Sequence, residues 1–231
     1  IRKDLILVCQ TRLPYTDQYH QHTMSYSQLS DNARHLVAKF TLATSLEVAQ
    51  GVAWYSVAWE TACNMAKSYE LSPYICAGVI AALSPRNKWP DNVRNADTLC
   101  KVYAAGGTVK DMMSVPCRTP NANKSQAITI LTTPAAHVSE LLTGPKRKEF
   151  YDCIARPEIN NVCIDGHAYS CWLGTYIPAS KTPSIGKKLR ARIKQDYRDA
   201  TSFINEELNE KYKASDIQAI TWVTHKRVHN V

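Results

Sequence analysis

Apolar residues recur every third or fourth position along most of the chain, and this period constrains the fold more than any other feature. It predicts helices over residues 32–49 and 51–70, because side chains at that spacing share one helix face. Residues 74–83 are almost all apolar, so we expect this helix to be central to the core. Alternation with a period of two is scarce. The sequence therefore predicts an all-α protein.

Turn and loop signals divide the rest of the chain into shorter predicted helices. Ser72-Pro73 suits a helix start, with proline at the first helical position. Residues 84–90 contain two prolines and should interrupt the helical pattern. The further predicted helices are residues 91–99, 123–131, 134–142, 150–155, 167–173, 187–209 and 215–225.

Length, charge and cysteine content narrow the class of protein. The 231 residues carry a net charge of +8, which suits a polyanionic partner without establishing one. The apolar patch at residues 5–9 is too short for a signal peptide, and no apolar run could span a membrane. We therefore expect a cytoplasmic protein with no membrane partner. The eight cysteines form no CxxC pair, so we expect reduced core thiols, no metal and no cofactor.

Two segments carry the candidate chemistry. Residues 142–148 have the composition of a tight turn followed by basic residues. Residues 162–167 bring Asp165, after an apolar run, to the start of a helix. A turn that can hold a phosphate, followed by an acid at a helix start, is typical of a protein that binds DNA and acts on one nucleotide. The structural alternatives are a plain helix–helix turn and a helix-capping role for Asp165.

These two segments and three others resemble, in the same order, the motifs of the helix-hairpin-helix DNA glycosylase superfamily, the endonuclease III type in particular. Residues 81–86 are similar to an early helix end, often Ile-Leu-Ser-x-Gln, and residues 123–127 to an Asn-x-Lys-Ala helix start. Residues 142–148 resemble the hairpin Leu-Pro-Gly-Val-Gly-Arg-Lys. Residues 162–167 resemble Val-Asp-Thr-His, and residues 220–227 more weakly resemble a final Trp-Leu-Ile-x-His-Gly-Arg helix.

The resemblance implies a two-lobed helix-hairpin-helix DNA glycosylase-like fold, close in character to uncharacterised phage and bacterial members. Two departures concern the motifs themselves: Lys146 replaces the second hairpin glycine, and Gly166 replaces the threonine after the acid. The iron–sulfur loop of some relatives is absent. The implied organisation is an extension over residues 1–34, a lobe over about 76–175 with its hairpin at 142–150, and a second lobe from 35–75 and 176–231.

The same resemblance implies two catalytic residues. A carboxylate at Asp165 would stabilise the positive charge that develops on the sugar as the glycosidic bond breaks, and would orient or deprotonate the nucleophile. Lys148 falls where bifunctional relatives carry a Schiff-base lysine, which attacks C1′ and permits strand cleavage. If Lys148 is instead a solvated or phosphate-binding residue, water activated by Asp165 is the nucleophile.

Four hairpin residues are predicted to bind DNA. Gly144 and Pro145 would shape the turn. Lys146 and Arg147 would contact the strand that carries the target, because backbone N–H groups and cations at a helix start suit a phosphate. The alternative is a turn that only joins two helices.

The resemblance implies DNA contacts for four further residues. Arg86 and Asn87 match positions that fill the gap left by an extruded nucleotide, and Trp89 is an aromatic that could stack on a base. A helix cap and a core tryptophan are the alternatives for this loop. His167 is either a DNA contact or, more simply, a residue that orders the Asp165 turn.

The resemblance thus implies a monomeric enzyme that removes a damaged or hypermodified base, including phage-modified bases, from double-stranded DNA after base flipping. Two alternatives stay open. A phage-type enzyme on the same fold would modify the base and leave no abasic site. A non-catalytic module would bind DNA through the hairpin alone.

Overall fold

Helices are the only regular secondary structure in the computed structural model, which describes residues 25–231. The prediction of an all-α protein is confirmed for that range. None of the described helices has the length and apolar character needed to cross a membrane. The helices are α1 (Asp31–Thr41), α2 (Ser45–Tyr69), α3 (Pro73–Leu83), α4 (Trp89–Ala104), α5 (Val109–Ser114), α6 (Asn121–Leu131), α7 (Val138–Leu141), α8 (Pro145–Ala155), α9 (Gly166–Leu173), α10 (Lys187–Leu208) and α11 (Ala214–His229).

The break between the first two helices lies at residues 42–44, so the predicted boundary near residue 50 is wrong. A reciprocal cap sets the true boundary: the Thr44 hydroxyl accepts the Glu47 N–H over 3.2 Å, and the Glu47 carboxylate accepts the Thr44 N–H over 2.7 Å. Arg227 holds the same carboxylate at 2.6 Å. The chain therefore restarts a helix at Ser45 and continues through Gly51 without interruption.

Residue 51, in the interior of α2, has to be a glycine because α11 passes very close to it. A Cβ atom built on Gly51 would lie 2.6 Å from the Cα of Ile220, a separation that side chains do not tolerate. The glycine is thus a packing residue rather than a helix end. Its place in the sequence, after a run with helical period, gives no sign of this neighbour.

The described chain divides into two compact units, and the first boundary falls within α2. Of the described residues, the terminal unit contains 25–54 together with Asn160–Val231, and the central unit contains Tyr55–Ile159. The lobes implied by the resemblance, with limits near residues 76 and 175, stay a prediction. Within the predicted extension, residues 1–24 lie outside the described residues, and so do the apolar patch at 5–9 and Cys9.

The terminal unit packs α1, α9, α10 and α11 around one core. Asp196 of α10 is a buried anchor in this core, because its carboxylate accepts the Trp172 indole N–H at 2.6 Å and the Ser30 hydroxyl at 2.7 Å. Ser30 in turn accepts the Ala33 N–H and caps α1. These bonds satisfy a carboxylate that burial would otherwise penalise.

The central unit is built on α3, whose residues 76–83 are all buried. The expectation that this helix is central to a core is confirmed. It packs against α6 and α8 and, less extensively, against α4 and α7. All seven described cysteines are free thiols: Cys63, Cys76, Cys100, Cys117, Cys153, Cys163 and Cys171. All of them except Cys63 and Cys117 are buried.

Candidate functional site

A tight turn joins α7 to α8 in the central unit, at the predicted hairpin. Leu142 is buried beneath it. Gly144 has a φ of +80°, a backbone conformation that residues with a Cβ atom rarely adopt. Pro145 is the first residue of α8, where its missing N–H costs nothing. The helix therefore starts at Pro145, five residues before the predicted start at Phe150.

The turn is braced by the start of α6, which is the segment that resembles the Asn-x-Lys-Ala motif. Arg147 donates to the Asn123 carboxamide oxygen at 2.6 Å and to the Thr143 hydroxyl at 2.8 Å. Gln126 donates to the Leu141 carbonyl and to the Thr143 hydroxyl, each at 2.9 Å. Two segments singled out separately from the sequence are thus in contact.

Arg147 therefore has a structural task beside its predicted DNA contact. Its guanidinium is half-buried, and this burial lowers the pKa of the Arg147 side chain. Lys148, one residue on, is exposed, and Lys146 is half-buried. Lys148 is accordingly the hairpin cation most open to solvent, as a phosphate contact or an attacking amine requires.

The loop between α3 and α4 belongs to the same unit. Arg86 is exposed and has a φ of +66°, so the chain turns sharply there. Asn87 donates to the Leu83 carbonyl at 2.7 Å and so completes the end of α3, which is the capping role. Trp89 begins α4 and its ring lies edge-on to Phe150 of α8 at 6.5 Å. Trp89 is half-buried and connects this loop to the hairpin helix.

Asp165 lies at the start of α9 in the terminal unit, as predicted. Its carboxylate accepts the Ala168 N–H at 2.9 Å, so it does cap the helix. The side chain is partly exposed, whereas Ile164 before it is buried. A cap and a catalytic acid are compatible here, because a carboxylate has two oxygens with about four lone-pair sites.

The Asp165 turn is fixed from α10. Arg190 donates to the Ile164 carbonyl at 3.0 Å, and the buried Tyr197 hydroxyl donates to the Ala168 carbonyl at 3.2 Å. Burial raises the pKa of Tyr197 well above its usual value, so it stays protonated and keeps donating. The backbone on both sides of Asp165 is therefore held by side chains of a long helix.

His167 lies beside a group of rings that the sequence did not point to. Its ring is 5.8 Å from His225 and 6.5 Å from Trp222, both of α11. His225 is 4.4 Å from His229, which stacks on Tyr176 at 5.0 Å. These five residues are called the histidine cluster below. The spacing of His225 and His229, four apart on a helix, is the one signal that could have revealed part of it.

The buried member of the histidine cluster has an unusual pKa. Burial, followed by His229, Lys39 and His167, lowers the pKa of His225 to about 4, while Asp165 opposes the shift. The imidazole is therefore neutral at physiological pH. Among residues 25–231, no group of three or more His, Cys, Asp or Glu side chains has the arrangement of a metal site.

The predicted site residues fall into two sets, one in each unit. Asp165 and His167 lie in the terminal unit with the histidine cluster. The hairpin residues 144–148 and the loop residues Arg86, Asn87 and Trp89 lie in the central unit. A depression of about 500 Å³ in the central unit contains no predicted site residue; it is lined by Asp91, Arg94, Asn95, Pro116, Cys117 and Arg118.

The fold and the site define an all-α protein with two helical units, a basic hairpin and an acid at a helix start. Comparison with protein families matches residues 18–229 to the family of unknown function DUF7178, and the chain belongs to that family. No curated protein matches the chain. No solved structure matches it either.

Proposed function

We propose that this protein is a DNA glycosylase with a helix-hairpin-helix glycosylase-like fold, which excises a damaged or hypermodified base from double-stranded DNA. The observation that carries the proposal is the setting of Asp165. This carboxylate is partly exposed, yet its turn is fixed by its own helix and by Arg190 and Tyr197. Electrostatic catalysis needs such a charge, one that does not have to reorganise during the reaction.

In the reaction the bond between the base nitrogen and C1′ breaks, and its electron pair leaves with the base. Positive charge develops on the sugar, and the Asp165 carboxylate stabilises it. Water then attacks C1′ and gives its proton to Asp165. With Lys148 as the nucleophile, the amine forms the bond to C1′ instead, and strand cleavage at the abasic site follows.

The hairpin supports the DNA-binding half of the proposal. The first turn of an α-helix presents N–H groups that the helix itself does not use, and these groups attract phosphate. At α8 they are accompanied by the exposed Lys148. Asn123 braces Arg147, and Gln126 braces Leu141 and Thr143, so the turn is kept in one conformation and binding does not require it to become ordered first.

The decisive experiment compares the parent protein with its Asp165→Asn variant on a panel of duplexes. The panel contains uracil, oxidised guanine, alkylated bases, hydroxymethylcytosine and its glucosylated forms, and modified phage DNA. Asparagine caps a helix as well as aspartate does, so this variant removes the charge and keeps the fold. Asp31→Asn, at the exposed first turn of α1, is the matched control.

Abasic sites formed by the parent protein and by Asp31→Asn, but not by Asp165→Asn, would establish the activity and identify the base. Borohydride trapping of a covalent adduct, lost in Lys148→Ala, would establish the lyase. Binding without an abasic site on any substrate would exclude excision. The base-modifying enzyme and the binding module would then be the remaining candidates.

A further inference from the structure

His225 is a buried polar side chain whose ring nitrogens make no hydrogen bond within residues 25–231. The residue is 1% exposed, and neither ring nitrogen has a hydrogen-bond partner among the described residues. Buried polar atoms are nearly always satisfied, so one that is not calls for a ligand or an ordered water. A neutral imidazole offers one donor and one acceptor. Among the described residues neither the donor nor the acceptor is used, so a ligand that reaches this buried ring must bring the complementary pair.

The surroundings of His225 are aromatic and partly open to solvent. Tyr176, 5.8 Å away, is 39% exposed, and the half-buried His229 stacks on it with an interplanar angle of 20°. On the other side His167 is half-buried and lies against the half-buried Trp222. A buried hydrogen-bonding group is thus bordered by partly exposed aromatic rings.

The charges around the cluster connect it to Asp165. That carboxylate acts electrostatically on His225, and His167 is two residues from Asp165 at the start of α9. Lys39 and Lys226 supply positive charge, Lys226 with its ammonium 4.6 Å from the centre of the Trp222 ring. Negative charge from Asp165 and two cations therefore border a largely aromatic site.

We propose that the histidine cluster is the site that receives the flipped nucleobase. A nucleobase is planar, has a π-face for Tyr176 and Trp222, and presents adjacent donors and acceptors to the imidazole of His225. The proposal rests on the proposed function, because only DNA chemistry brings an extruded base to Asp165. The inference extends the proposed function by naming the residues that bind the base, which are separate from the hairpin and from Asp165.

Photochemical cross-linking tests the site without requiring excision. The probe is a duplex with one 5-iodouracil opposite an abasic-site analogue, where the base is easily extruded, and the protein is Asp165→Asn. Binding is first measured by fluorescence anisotropy. Irradiation then attaches the base to the aromatic ring that it touches, and mass spectrometry identifies the ring. We expect attachment at Tyr176, Trp222 or a histidine of the cluster.

Two variants and a control are made in the Asp165→Asn protein. Tyr176→Ala removes an exposed ring and should lower the cross-linking yield about tenfold, in line with the usual strength of base–aromatic stacking. His225→Phe keeps a ring and removes both nitrogens, and should also lower it. His137→Phe changes an exposed histidine of the central unit and should leave the yield unchanged.

The outcomes separate the two proposals. Failure to bind the duplex would overturn the proposed function and the base site together. Binding with attachment only elsewhere, for example at Trp89, would overturn the base site and leave glycosylase activity possible. An unchanged yield in Tyr176→Ala would also overturn it, and this holds even if His225→Phe fails to fold, since Tyr176 is at the surface.

Discussion

Arg147 donates a hydrogen bond to the side-chain oxygen of Asn123 across 2.6 Å, and this bond ties the hairpin turn to the start of α6. Asn123 itself is buried and also donates to the Thr119 hydroxyl at 2.9 Å. Its neighbour Lys124 donates to the carbonyls of Met113 and Val115. The start of α6 is therefore a structural support for the turn, and we predict that the proposed DNA binding by the hairpin depends on this support.

Asn123→Ala should lower the free energy of unfolding by ~1–3 kcal/mol, because it leaves the half-buried Arg147 guanidinium without its strongest acceptor. Urea denaturation measures the loss. DNA affinity should fall at the same time on every duplex, since the turn is no longer held. Thr129→Ala, which removes an exposed hydroxyl of the same helix, is the control and should change stability by less than ~0.5 kcal/mol. Equal stability of the two variants would contradict the bracing role.

The helices that contain periodic apolar faces were predictable, since local spacing determines which face is buried. Residues 74–83 were predictable for another reason, because they are almost all apolar and form a buried helix, and the apolar run at 162–164 placed Asp165 at the start of α9. The boundary at Thr44 was readable in principle, because Thr44-Ser-Leu-Glu47 has the pattern of a capping box. It was missed because the periodicity alone does not distinguish a helix end at residue 42 from one at residue 50.

Apart from the four-residue spacing of His225 and His229, the histidine cluster was not predictable, for a different reason. His167, Tyr176 and His225 come from three segments of the chain, and only the packing of α9 and α11 brings them together. The same is true of Gly51, whose function is defined by Ile220. Burial of an unpartnered imidazole is a property of the folded chain, and no local pattern encodes it.

Lys148→Ala should weaken DNA binding uniformly across sequences and reduce the slope of log K against log salt concentration by ~1, as loss of one phosphate contact does. Because Lys148 is exposed, the free energy of unfolding should change by less than ~0.5 kcal/mol. Anisotropy titrations at several salt concentrations measure the slope. Lys110→Ala in α5, also exposed and in the same unit, should leave the slope unchanged. If Lys148→Ala and Lys110→Ala have identical slopes, Lys148 does not contact the DNA backbone.

Gly51→Ala should destabilise the protein, although the same change at an exposed mid-helix site stabilises by ~1 kcal/mol. The new methyl group would lie 2.6 Å from backbone atoms of Ile220, which cannot rotate away. Overpacking of this kind costs ~1–3 kcal/mol, measured by urea or thermal unfolding. Gly186→Ala, where a Cβ would meet nothing within 4 Å, should change stability by less than ~1 kcal/mol. A more stable Gly51→Ala protein would show that α2 and α11 are not in close contact there.

The protein should lose stability as the pH falls from about 6.5 toward 4, through the titration of His225. Burial, followed by His229, Lys39 and His167, lowers the pKa of His225 in the folded chain to about 4. The unfolded chain binds a proton near pH 6.5 and the folded chain does not, so acidification across this window favours unfolding. Asp165 opposes the shift, and His229 adds to the trend, because its pKa is lowered mainly by burial.

The size of this effect is at most ~3 kcal/mol over the whole window. Urea denaturation at a series of pH values gives the slope, and the part of it between about pH 6.5 and pH 5 lies above the usual range of carboxylate titration and reports on His225. His225→Phe should flatten the slope between about pH 6.5 and pH 5, because the group that titrates is gone. His137→Phe should keep the parent slope, since His137 is exposed. If His225→Phe and the parent protein lose stability in parallel as the pH falls, His225 is not buried in its neutral form.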